Sequence, residues 1–263
     1  MTTSRHRSPV RLVIAAVALT FAALPVYGQQ PSNAVPVGCS VGNAAPGTRV
    51  LVFSRTTGFR HASIPDGIAA IRTLGATRGF VVEATEAPQQ FNDENLKRIN
   101  AVVFMSTTGD VLDSTQQAAF QRYIRGGGGY VGVHSATDTE YDWPWYGQLV
   151  GAYFKRHPAI QDARVDVRDR SFIATKCLPA VWNRRDEWYD FRLEPPPDAK
   201  ILLTLDEKSY QGGTMGAFHP LSWYHRFDGG RAFYTELGHT SESYADPLYL
   251  EHLLGGILWA ATR

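Results

Sequence analysis

The chain is 263 residues long, 44% of them apolar, with 26 basic against 25 acidic side chains and a formal net charge of +1. That length supports one large domain or two small ones around a sizeable buried core. So balanced a charge supplies no field to hold nucleic acid or an anionic membrane surface, and both are set aside as partners.

Arg5, Arg7 and Arg11 precede an apolar run over residues 12–24, and small or turn-forming residues follow to Gly28. This is the pattern of a secretory signal peptide, residues 1–28. Its apolar run is too short to span a bilayer comfortably. The reading places the mature protein in the periplasm or outside the cell, with no stable membrane insertion after cleavage. Residues 29–46, rich in Pro, Asn, Gly and Ala, read as an extended arm, and residues 47–263 as the main domain. The two cysteines, Cys39 and Cys177, lack CxxC spacing and a neighbouring histidine that would suggest a metal site or a nucleophile. In an oxidising compartment the expectation is a disulfide tethering the arm to the middle of the domain.

Residues 49–54 form a continuous apolar run, as strands buried on both faces of a parallel sheet do. A polar loop to His61 follows, then a helix with Ser63 as N-cap, Pro65 in its first turn and Ile64, Ile68, Ile71 and Leu74 along one face. Short strands are expected at 79–84 and 101–105, with a helical segment at 92–99 between them. Asp113 with Gln116 reads as a capping box opening a helix that carries Phe120, Tyr123 and Ile124 and stops at Gly126. A strand at 130–133 then ends on His134-Ser135. Pro144 is expected to start a helix reaching Phe154, with His157 closing it. Strands at 165–167 and 201–204 flank an unassigned segment, 182–191. Asp228-Gly229-Gly230 joins strands 221–227 and 231–237 into an antiparallel hairpin. Asp246-Pro247 caps a last helix to Trp259. Strands alternating with helices argue for an α/β fold, a mostly parallel sheet flanked by helices.

In such sheets ligands bind beyond the carboxyl ends of the strands. Four histidines are expected there: His61, His134, His219 and His239. Singly each is more readily a structural turn residue; together they suggest a site. His134 and His239 are the acid/base candidates, since imidazole is the side chain most used for proton transfer. Asp186 and Glu187 adjoin Trp188 and Tyr189, where aromatic shielding would raise a carboxyl pKa, although a surface turn is the duller reading. Arg60 offers a guanidinium to a substrate oxygen, and Ser135 and Thr240 offer hydroxyls beside the histidines. His157, His225 and His252 are left outside the site. No GxGxxG, Walker or HExxH motif is present. No cofactor is required, but a zinc ion on His61, His134, His219 and His239, or on two or three of them with a carboxylate, stays open as a minor alternative.

Gly58-Phe59-Arg60-His61, Gly132-Val133-His134-Ser135, Asp186-Glu187-Trp188-Tyr189, Met215-Gly216 with His219-Pro220 and Trp223, and Gly238-His239-Thr240 together resemble the ThuA-like (trehalose utilisation) family, over residues 49–260. The resemblance implies a flavodoxin-like fold related to class I glutamine amidotransferases. Those enzymes carry a cysteine at the elbow after the strand that ends here at Val133; this chain has His134 there, which argues against thiol-based glutamine hydrolysis. It also implies a small carbohydrate ligand, such as trehalose or a 3-keto derivative. The resulting expectation is an exported carbohydrate-processing enzyme using histidine acid/base chemistry. Its substrate-binding set is Arg60, His61, Ser135, Trp188, Tyr189, His219, Trp223 and Thr240. A non-catalytic sugar-binding module, with Trp143, Trp145, Trp188 and Trp223 stacking on pyranose rings, and a metal-dependent hydrolase are the competing readings. A homo-oligomer stays open.

Overall fold

The computed structural model describes residues 1–2 and 34–262; the signal-peptide segment lies almost wholly outside them. The elements run β1 (Arg49–Phe53), α1 (Ile64–Arg78), β2 (Val81–Thr85), α2 (Asp93–Leu96), β3 (Ala101–Met105), α3 (Ser114–Arg125), β4 (Gly129–Val133) and α4 (Pro144–Val150). Then come β5 (Phe154–Arg156), β6 (Gln161–Val167), β7 (Val181–Asp186), β8 (Asp190–Phe191), β9 (Lys200–Leu205), β10 (Pro220–Phe227), β11 (Gly230–Thr235) and α5 (Pro247–Ala261).

Nine strands form one sheet in the order β2-β1-β3-β4-β11-β10-β9-β6-β7. The first five are mutually parallel. From β11 to β7 each neighbour is antiparallel to the last, so β9 and β7 run the same way as β1, β4 and β11. The carboxyl ends of β1, β4, β11 and β7 therefore face one edge, which is where a site belongs in this architecture. Alternate side chains of the central strands feed two cores. Val50, Val52 and Val103 pack toward α1 and α5, while Leu51, Phe53, Val102 and Phe104 pack toward α2, α3 and α4. The expected capping box at Asp113 and Gln116 is formed in both directions. The hairpin turns on Asp228 and Gly229, both at positive φ, as a two-residue loop matched to strand twist requires.

The expected helix to Phe154 is shorter. Gly151 ends it in the left-handed conformation (φ 94°), where a Cβ would also meet the Trp223 indole nitrogen at 2.5 Å. The chain past it extends into β5, which pairs with β8 in a small separate ribbon. His157 therefore lies beyond a strand rather than at a helix end, a correction to its expected place. The unassigned 182–191 segment contains β7 and β8.

Cys39 and Cys177 are joined by a disulfide across 138 residues of sequence. The arm is held further by Val41, whose backbone N–H donates to the Glu251 carboxylate at 2.9 Å, and Glu251 also pairs with Arg78. Closing so long a loop removes much of the unfolded chain's freedom. Replacing both cysteines by serine is expected to cost about 2–5 kcal/mol. The measure is a lower urea midpoint, and the reduced wild type should melt with the variant.

Candidate functional site

Three loops from the parallel half and one from the antiparallel half meet at the shared edge. His61 lies between β1 and α1. His134 follows β4 directly and adopts φ 52°, a left-handed backbone uncommon for residues other than glycine, though histidine takes it more readily than most. Glu187 follows β7. His239 follows β11 across Gly238, whose φ is 116° and whose missing side chain lets the Tyr244 and Tyr249 hydroxyls come within 2.6 Å of where a Cβ would stand. The Ser63 hydroxyl donates to the Gly238 carbonyl at 3.2 Å, joining the first and last of these loops.

The side chains converge on one atom. His134 donates from Nδ1 to the Glu236 carbonyl at 2.7 Å, which leaves Nε2 with a single lone pair. Around Nε2 stand Tyr189 Oη at 2.9 Å, His239 Nδ1 at 3.0 Å, His61 Nε2 at 3.1 Å and Glu187 Oε2 at 3.4 Å. Glu187 Oε2 is also 2.9 Å from His239 Nδ1, and its Oε1 is 3.0 Å from His157 Nδ1. The Ser135 hydroxyl lies 3.3 Å from His61 Nδ1 and orients that ring with Nε2 inward. One lone pair accepts one well-formed hydrogen bond. A divalent ion instead takes a lone pair from each of three imidazoles and a carboxylate, and these spacings suit donor atoms at about 2.0–2.2 Å from one ion. His61, His134, Glu187 and His239 can thus hold a metal, all four donor atoms lying within 4.8 Å of one another.

The electrostatics agree. Burial first, then the neighbouring His134 and His239 rings, pushes the His61 pKa down to about 2, leaving it neutral as a ligand must be. Burial pushes the Glu187 carboxyl up, but its close contacts with the His134 and His239 rings outweigh it and hold the group below the usual range. That reverses the upward shift expected from its aromatic neighbours. Behind the cluster, Glu236 is fully buried, and that burial pushes its carboxyl well above the usual range, favouring the neutral form. Its Oε1 accepts the Tyr189 backbone N–H at 2.8 Å and its Oε2 has no partner.

A cavity of about 300 Å³ opens onto the cluster, lined by Phe59, His61, Asp138, Phe154, His157, Glu187, Tyr189 and His239. Phe59, Asp138, Phe154 and His157 were not among the residues expected from sequence. Phe59 sits in the Gly58-Phe59-Arg60-His61 motif, while Phe154 and His157 were hidden by the expected longer helix.

Other expected site residues stand elsewhere. His219 faces a second group, with Nδ1 3.1 Å from Glu207 and Nε2 2.8 Å from the Tyr189 carbonyl. The register of β10 on β11 fixes where His219, the residue before β10, falls along the hairpin, not the face its ring turns to. That group, with Asp190, is less suited to a cation. Its carboxylates already accept from the backbone N–H groups of Thr214, Met215 and Gly216, and Asp190 pairs with Arg156. Asp186 is buried behind the site, accepting from the N–H groups of Gly238 and His239 at 3.0 and 3.1 Å, from Ser243 and from Arg184. Arg60 pairs with Glu86 at 2.6 Å, outside the cavity lining. Trp188 and Trp223 are fully buried, their indole N–H groups donating to the carbonyls of Gln161 and Val150, so neither offers a face to a sugar. Thr240 contacts Ser243.

A family model described as ThuA, trehalose utilisation, matches residues 49–260. No curated protein matches in sequence. Among solved structures, a ThuA-like protein from Bacteroides uniformis is 24% identical with a TM-score of 0.69, covering 82% of this chain and 92% of that one. A ThuA-like protein from Parabacteroides merdae is 22% identical with a TM-score of 0.67, covering 83% of this chain and 91% of that one. At these identities the likeness supports the fold.

Glu236 gives a test of the site's electrostatic backing. Its pKa is higher folded than unfolded, so its stabilising effect is complete below about pH 4.3, its unfolded value, and is lost as pH rises toward the folded value. Each unit of that rise costs about 1.4 kcal/mol at higher pH. Glu236→Gln keeps the acceptor for Tyr189 and removes the titration. It is expected to melt above the wild type at pH 7, with the gap closing toward pH 4, as read by thermal melts across that range.

Proposed function

The chain belongs to the ThuA, trehalose utilisation, family, and from that premise we propose that it is a carbohydrate-active enzyme built on a divalent-metal centre. The metal is assigned to His61, His134, His239 and Glu187. The observation that carries this is the crowding of four groups within 3.4 Å of the one lone pair of His134. The roles of His134 and His239 thereby shift from acid/base groups to ligands. A bound ion would supply Lewis acidity toward a carbonyl or hydroxyl oxygen.

The substrate proposed is a glycoside oxidised at C3, such as 3-ketotrehalose. The cavity, at about 300 Å³, suits one sugar ring, with Phe59 and Phe154 offering apolar faces and Asp138 and Tyr189 hydrogen-bonding groups to hydroxyls. Glu187 stays ionised and holds His157 through its Oε1. This pair is proposed to take the C2 proton, which the adjacent ketone acidifies. The C2–H electron pair becomes the C1=C2 double bond as the C1–O bond breaks, and the departing alkoxide takes a proton. Export is part of the proposal. The Cys39–Cys177 disulfide is compatible with it, and among the described residues no helix is long and apolar enough to cross a membrane.

The test is elemental analysis of untagged protein, followed by NMR of 3-ketotrehalose incubated with metal-loaded and chelated enzyme. About one equivalent of metal is expected, with cleavage that chelation abolishes and His239→Ala lowers more than about 100-fold, beyond the loss usual when only a residue hydrogen-bonded to a ligand is changed. Turnover without metal would return His134 and His239 to acid/base roles. Saturable sugar binding without turnover would make the chain a binding module.

A further inference from the structure

β4 runs straight into a single 3-10 turn, His134–Asp138, so a proposed metal ligand and a carboxyl group share one short segment. The far end of the turn is pinned, the Asp138 carbonyl accepting the Gly109 N–H at 2.8 Å. Asp138 lines the histidine pocket but is not one of the four groups that can hold the metal. In the reaction set out above one proton still lacks a source, the one that the departing alkoxide takes.

The two oxygens of Asp138 are unlike. Oδ1 accepts from the Tyr141 hydroxyl at 2.7 Å. Oδ2 has no hydrogen-bond partner among the described residues and is not shut away, so it is open to the pocket that Asp138 lines. Tyr141 has a single hydrogen to give. Its other acceptor, the Phe154 carbonyl at 3.0 Å, already takes the Arg192 Nε–H at 3.0 Å. That leaves the Tyr141 hydrogen for Asp138, the shorter of its two contacts, and the Arg192 guanidinium lies 4.0 Å over the phenol ring.

Such a pairing serves the carboxyl group in both protonation states. With a proton on Oδ2, Oδ1 is still an acceptor for Tyr141. Once that proton has gone, the same bond becomes charge-assisted and strengthens. Burial raises the Asp138 pKa and outweighs the lowering by the Tyr141 bond and by Arg192 and His134, which suits the group to hold a proton nearer neutral pH. Phe154 stands between this carboxyl group and the other one in the pocket. Its carbonyl meets Tyr141, while its ring centre lies 5.9 Å from that of His157, the partner of Glu187. One pocket thus carries two carboxyl groups with separate partners, as taking one proton and delivering another requires.

We propose that Asp138 is the general acid of this pocket, giving its Oδ2 proton to the glycosidic oxygen of a 3-keto glycoside as the C1–O bond breaks. The role rests on the reaction proposed above. The Oδ2–H bond breaks as the new O–H bond forms on the departing sugar, and Asp138 is left as a carboxylate that Tyr141 steadies. The C2 proton sits on the Glu187–His157 pair, and exchange with water resets both groups with no redox change.

The test sets 3-ketotrehalose, whose departing alkoxide needs a proton, against the 3-keto derivative of 4-nitrophenyl glucoside, whose phenolate leaves without one. Asp138→Asn keeps the Oδ1 acceptor for Tyr141 and removes the acid. It should lower kcat on 3-ketotrehalose about 100-fold or more, with KM, metal content and the 4-nitrophenyl reaction staying near wild type. In Asp138→Ala, formate added to the buffer should restore part of the 3-ketotrehalose rate. Equal loss on both substrates, loss on neither, or no rescue by formate would overturn the role and leave the reaction standing. A loss confined to 3-ketotrehalose in Tyr189→Phe, with none in Asp138→Asn, would also overturn it and give the proton to that phenol. A wild type inert toward both substrates would remove the reaction, and this role with it.

Discussion

His134 has to turn its Nε2 lone pair into the space where three other ring or carboxylate donors already point. Two fixed features enforce that. The carbonyl of Glu236 claims Nδ1, and the left-handed backbone at His134 swings the ring off the end of β4. With one nitrogen committed to the main chain, the tautomer is settled and the other nitrogen is a pure acceptor. The Tyr189 hydroxyl, 2.9 Å away, can donate to that lone pair; in the proposed metal centre a cation would take it instead, together with those of His61, His239 and Glu187.

Bringing Glu187 to that point is the harder geometrical task. β7 is the outermost strand of the antiparallel half, four places from β11 in sheet order, yet its end meets the loop after β11. Asp186 makes the junction. As a buried carboxylate it needs several donors, and it finds them in the backbone of Glu187, Gly238 and His239 and in Arg184 and Ser243. The hydrogen bonds that satisfy this one charge also set the distance between Glu187 and His239. The antiparallel extension of the sheet is thus what separates this site from one built on parallel strands alone.

Much of this was legible in the chain. The apolar runs of β1, β3 and β4, the capping box, the Asp228-Gly229 turn and the position of His61, His134 and His239 after strands all follow from local rules. β7 escaped because its inward positions are Trp182, Arg184 and Asp186. Two of these are charged and bury each other as a pair 3.2 Å apart, so apolar alternation, the usual signal of a strand, is absent. His157 escaped because the stop at Gly151 was passed over, and a three-residue strand carries too little pattern to announce itself. His219 was grouped with the wrong partners because register along a hairpin says nothing of which side of a twisted sheet a ring will take just before its strand begins. Asp186 and Glu187, adjacent in sequence, are divided by the same alternation into a brace and a donor atom.

The disulfide partitions the centre in an unexpected way. His61 and His134 lie inside the covalent circle closed between Cys39 and Cys177, while Glu187 and His239 lie outside it. Hydrolysis of any one peptide bond between those cysteines would leave a branched but single molecule, with every donor still tethered to the others. The two pieces would separate only under reducing conditions, and the centre could reassemble without a search for its missing half.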